Sequence, residues 1–79
     1  MALPKQKIVK FGSDYTLSIV DEINHADLFE CAVFHKGEMV EMPGITAPDD
    51  TVVRFRTASD IQMIMKKMYS ITGMMPKNG

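Results

Sequence analysis

A thiol nucleophile would need Cys31 beside a base, and the chain holds two histidines, His25 and His35. Cys31 and His35 share strand parity, but four residues of extended chain separate them by about 13 Å, too far for a thiol–imidazole hydrogen bond. His25 and Asp27 fall in "NHAD", where short polar residues make turns rather than acid–base pairs. Positions 25, 31 and 35 reproduce no zinc spacing, and Asp49-Asp50 is a pair of solvated loop carboxylates. "FGSDY" carries one glycine and lacks the glycine-rich context of a phosphate-binding loop. The residues capable of chemistry therefore do not converge, and the expectation is no enzyme, no metal and no cofactor.

The elements that position these residues follow from size and pattern. Seventy-nine residues allow one domain and one small core, since a chain of this size buries only about 60–65 % of its unfolded surface. With 46 % hydrophobic and 24 % charged residues the composition is that of a globular domain. A single cysteine excludes an internal disulfide and favours a reducing, cytoplasmic setting, with Cys31 buried. No apolar run approaches the roughly 20 residues of a membrane span, and "MALPKQKIVKF" lacks the apolar stretch of a signal peptide. A formal net charge of −1 argues against a strongly cationic nucleic-acid binder.

Along the chain, "KIVKF" is a short β-rich run ended by "GSD", and "YTLSIVDEI" alternates apolar and polar residues as a half-buried strand does. "LFECAVF" and "EMVEM" flank a tight turn at Lys36-Gly37, where Gly37 can take positive φ. "PGITAPDD" reads as a loop with turns at Pro43-Gly44 and at Pro48. In "TVVRFRT", Val53 and Phe55 are expected on one side, Arg54 and Arg56 on the other. Thr57 then caps a helix from Ala58, with Ile61, Ile64, Met65, Met68 and Ile71 as its apolar stripe and Gly73 as its stop. The expected fold is α+β: a small two-layer domain, an antiparallel meander of four to five strands with one C-terminal helix packed on one face, residues 1–6 and 74–79 being frayed.

A turn at Lys36-Gly37 opposes Phe34 to Met39, Val33 to Val40 and Cys31 to Met42. Phe29, Cys31, Val33, Val40 and Met42 then form the helix-side face. Phe34 and Met39 are left on the other. One helix about 10–12 Å across cannot cover four or five strands spaced about 4.8 Å, and nothing else in the sequence covers the far face. That face would carry Lys10, Thr16, Ser18, Arg54 and Arg56, with Ile8, Val20, Phe34, Met39 and Val52 among them. Lone apolar side chains on a surface are ordinary, so a contact patch is argued from their clustering. Met63 projects opposite the helix stripe, beside Lys67 and Ser70, and its flexible thioether suits adaptable contacts.

The candidate interaction residues are Phe34, Met39, Arg54, Arg56 and Met63. The expected function is a non-enzymatic protein-interaction module, a homodimer or the binder of a larger protein, using its open sheet face or an edge strand. Nucleic acid is the competing partner, through Lys10, Arg54 and Arg56 beside Phe34, but Glu30 and Glu41 share that face and no aromatic RNA-binding motif is present. A meander with one helix is similar in general plan to small phage-encoded accessory and inhibitor proteins, many of which bind a host protein. The resemblance implies a binding protein without an active site and transfers no residue.

Overall fold

The computed structural model describes residues 6–47 and 49–78. It is an α+β domain in which one antiparallel sheet is backed by one helix. Strands β1 (Gln6–Phe11), β2 (Tyr15–Asp21) and β3 (Phe29–His35) form a meander. They are followed by β4 (Glu38–Val40), β5 (Val52–Arg56), helix α1 (Ala58–Thr72) and β6 (Pro76–Asn78). The sheet order is β4-β3-β2-β1-β6, and β5 also pairs with β3.

The hairpin turn is as the sequence predicts. Lys36 and Gly37 both take positive φ, 52° and 86°, the geometry whose twist matches a two-residue hairpin. Phe34 therefore opposes Met39, and Val33 opposes Val40. The expected pairing of Cys31 with Met42 does not form, because β4 ends at Val40 and Cys31 faces Val53 of β5.

Strands β4 and β5 occupy one lane on the outer edge of β3. Val40 faces Val33 and Val52 faces the next residue, Ala32, so residues 41–51 are an excursion from a single interrupted edge strand. The excursion buries Met42 and Ile45 in the core. Its turn is knit by Met42, whose carbonyl accepts from the amides of Ile45 and Thr46 at 2.9 Å each.

The core face comes from alternate positions of the meander: Val9, Phe11, Leu17, Ile19, Cys31 and Val33, joined by Val53. Helix α1 closes it with Ile64 and Met68, and Ile61 and Met65 pack at the margin. Thr57 Oγ1 accepts from the Asp60 amide at 3.2 Å while the Thr57 amide donates to Asp60 at 2.9 Å, a capping box that starts the helix. Gly73, at φ 71°, ends it by donating to the Tyr69 carbonyl. Ile71 departs from the expected stripe and is 47 % exposed. A stripe through Ile61, Met65 and Met68 reaches Thr72 four residues on, and Thr72 takes the inner position instead.

Two further expectations are corrected. Part of the tail at 74–79, expected to fray, forms β6: Pro76, Lys77 and Asn78 pair with Phe11, Lys10 and Val9. In β5, Phe29 opposes Arg56 and Cys31 opposes Val53, so Arg54 and Phe55 together face the single residue Glu30. This bulge breaks the alternation: Arg56 moves to the side of Phe29, and Phe55 turns outward, 50 % exposed at φ 59°.

Candidate functional site

The residues with reactive side chains stay apart. Cys31 is buried on the helix side, and desolvation pushes its thiol up to about 11, the opposite of a nucleophile's requirement. His35 is occupied in a stack on Tyr15, ring centroids 4.5 Å apart. His25 stands in the exposed turn between β2 and β3, edge-on to Phe55 at 5.3 Å. Asp50 accepts the Val52 amide at 3.1 Å and so shapes the entry to β5. Among the described residues no three histidine, cysteine, aspartate or glutamate side chains cluster to hold a metal. An open hollow of about 640 Å3 lies inside the 41–51 excursion, lined by Pro43, Ile45 and Thr46 with the carboxylates of Glu41 and Asp49 at its wall.

The sheet face away from α1 is the surface the hairpin predicts. Its positions are fixed by the register as three rows: Lys77, Lys10, Thr16, Phe34 and Met39; then Ile8, Ser18, Ala32 and Val52; then Gln6, Val20 and Glu30. Ser18 and Ala32, although on the uncovered face, are only 6 % and 8 % exposed because larger neighbours rise around them. They form the floor of a shallow depression of about 230 Å3, walled by Phe34, Met39, Val20 and Val52. Gln6 Nε2 donates to Ser18 Oγ at 3.0 Å, which satisfies the polar floor. Met39 is 45 % exposed, and its sulfur accepts from the Thr51 hydroxyl.

Charge on this face differs from the sequence expectation. Arg54 Nε and Nη2 donate to the two oxygens of Glu22 at 2.8 and 2.9 Å, and Glu30 lies 3.6 Å from the same Nε. The Arg54 hydrogen bond holds the Glu22 carboxyl below its ordinary value, against an opposing push from burial. Arg54 is thus neutralised by two carboxylates, while Arg56 belongs to the helix side beside Phe29. Of the expected basic trio, Lys10 alone keeps an uncommitted charge on the face, joined by Lys77 directly across from it.

Met63 is 53 % exposed on the opposite side of the molecule, where it lines a groove of about 340 Å3 with Ile71, Lys66 and Pro43. The structure therefore brings Phe34 and Met39 together and separates Arg56 and Met63 from them. Sequence reasoning missed Glu22, whose partner Arg54 is 32 residues away, and missed the aromatic point at Phe55, His25 and Arg54, where Arg54 Cζ lies 4.9 Å over the Phe55 ring. Comparison with protein-family models, with curated proteins and with solved structures finds no match to the chain.

Proposed function

We propose that the protein is a non-enzymatic protein-interaction module that binds through its uncovered sheet face, either to a second copy or to a larger protein. The observation that carries this reading is the Phe34–Met39 pair beside the Ser18–Ala32 floor: an apolar wall around a shallow hollow, on the side no helix covers. Interfaces draw their affinity from a few such anchors set in partly enclosed surfaces, with polar residues around them. The buried thiol suits a reducing cytoplasm, and a small accessory or inhibitor protein of phage type that acts on a host protein is one form the reading takes. Among the described residues no helix is long and apolar enough to cross a membrane.

The disposition of charge supports a protein partner over nucleic acid. A phosphate backbone needs several uncommitted cations in line, and on this face Arg54 is paired while Glu30 adds a negative charge. The test is affinity capture from the source cells with the wild-type protein and with Phe34→Ser as baits. A partner retained by the first and lost by the second supports the reading. Retention on single-stranded nucleic acid at low salt, abolished by replacing Lys10 and Lys77, would overturn it.

A further inference from the structure

Lys10 and Lys77 are directly opposed across β1 and β6 on the uncovered face, and both are exposed. Like charges in this position repel. The ion pairs among the described residues all lie at Arg54, so neither lysine takes part in one. At the far end of the same face, Glu22, Glu30 and Arg54 form a cluster of two negative charges and one positive. The face therefore carries an unbalanced cationic corner and an unbalanced anionic corner, with apolar side chains between.

The two corners are related by the register. Lys10 faces Thr16 on one side of β2, Glu30 faces Val20 on the other side, and Ser18 is midway between Thr16 and Val20. Ser18 is thus the centre of the diagonal from Lys10 to Glu30. When two copies meet face to face, a two-fold axis lying between them, through Ser18 and across that diagonal, brings Lys10 of each copy over Glu30 of the other. In flat projection the same operation drops Phe34 between Met39 and Val52 of the facing copy. Small residues at the centre, Ser18 and Ala32, permit the close approach.

We infer that the partner of the uncovered face is a second copy of this chain, packed about a two-fold axis with Lys10 and Lys77 set against Glu30. This inference rests on the reading of that face as the interaction surface. The twelve face positions, each about 4.8 Å by 6.8 Å, give a face of about 400 Å2 per copy, or about 800 Å2 in total. That area is below the range of stable complexes, so the dimer is weak and reversible.

Charge reversal tests the geometry. Sedimentation equilibrium from about 5 to 500 µM, in low salt, is run on the wild type, Lys10→Glu, Glu30→Lys, Phe34→Ser and an equimolar mixture of the two charge variants. Each charge variant alone turns both inter-copy pairs repulsive and should dimerise about tenfold more weakly or worse. Mixed together, the variants recover both attractive pairs, and a heterodimer near wild-type affinity is the expected result. Lys10→Glu also places a carboxylate across from Lys77 within one copy, so its melting temperature should stay level or rise while its dimer weakens, which separates interface loss from misfolding. If Glu30→Lys disturbs Arg54 and fails to fold, the Lys10→Glu, Lys77→Glu double variant mixed with Glu30→Gln replaces it, with partial recovery expected. A wild type that is monomeric at 500 µM overturns the second-copy inference and leaves the face to a larger partner. Dimerisation lost in Phe34→Ser but indifferent to both charge variants overturns the two-fold pairing alone. Dimerisation that survives Phe34→Ser and is lost in Met63→Ser overturns both the pairing and the underlying reading of the face.

Discussion

Glu22 and Arg54 form a two-point ion pair at the end of the sheet, at 2.8 and 2.9 Å, in which the Glu22 side chain is 2 % exposed and that of Arg54 57 %. The buried partner is the acid. The Phe55 backbone adds the smallest of the contributions that lower the Glu22 carboxyl. The carboxylate thus anchors Arg54, one residue of the β5 bulge, and planar two-point recognition fixes its orientation as well as its charge.

The pair makes stability depend on pH in a defined direction. The folded-state pKa of Glu22 is depressed below 4.5, first by the Arg54 hydrogen bond, and that of Asp60 below 3.8, first by the Thr57 amide. A depressed folded pKa means that the stabilisation is complete above the unfolded value and is lost as pH falls through the folded one. The urea midpoint should therefore hold steady from pH 7 to about 5 and drop at lower pH. In Glu22→Gln the neutral-pH midpoint should be lower and the acid drop shallower. An acid drop as steep as in the wild type would mean that Glu22 does not contribute.

The bulge makes a second prediction, on side-chain preference. At φ 59° Phe55 occupies a conformation in which glycine is unstrained and β-branched residues suffer most. Phe55→Gly should change stability by less than about 1 kcal/mol, because relief of backbone strain offsets the lost contacts with His25 and Arg54. Phe55→Val should cost about 1–2 kcal/mol more than Phe55→Gly. An ordinary strand site gives the reverse order, so chemical denaturation of the two variants decides whether the bulge is present.

The parts of this fold that were legible in the sequence are those where one residue type forces one geometry. Lys36-Gly37 between two short apolar runs fixed the side of Phe34, and Thr57 with Asp60 fixed the start of α1. The β5 bulge was not legible, because "VRFR" keeps strict alternation and Glu22, which Arg54 binds at the bulge, is distant in sequence. Strand β6 was hidden for a similar reason: "PKN" has no strand propensity of its own and owes its state to the unfilled edge of β1. The open face was legible as a pair, Phe34 with Met39, but its charge was not, since Arg54 cannot be known as neutralised until Glu22 is found beside it.

Cys31 should be inert in the native protein. Its thiol is 1 % exposed by residue, and burial pushes it up to about 11, so the thiolate is scarce at neutral pH. Reaction with a disulfide reagent at pH 8 should be slow until urea unfolds the chain, and then fast. Prompt labelling without denaturant would show that the edge between β3 and β5 opens readily.

The helix contributes through few side chains, so each matters. Ile64→Ala empties a position that is 6 % exposed between α1 and the sheet and should cost about 2–4 kcal/mol in urea unfolding. Met63→Gln, one residue earlier but 53 % exposed, should change stability by less than about 0.5 kcal/mol. Equal effects at the two positions would mean that the helix does not pack by the Ile64–Met68 stripe.

Phe34→Ser separates the work of the two sheet faces. Phe34 projects away from Val33, Cys31 and Leu17, so its loss leaves the helix-side core untouched. It does remove one wall of the depression over Ser18 and Ala32. Folding stability should fall by no more than about 1 kcal/mol, as for a half-buried side chain on an open surface. Association should weaken by about tenfold or more, because an aromatic anchor contributes to an interface out of proportion to its share of the area. The paired measurement is a urea titration at low protein concentration and a sedimentation series at high concentration. Equal and small effects in both would reduce Phe34 to an ordinary exposed side chain, and the contact role would then have to lie elsewhere, at Phe55 or along the Met63 groove.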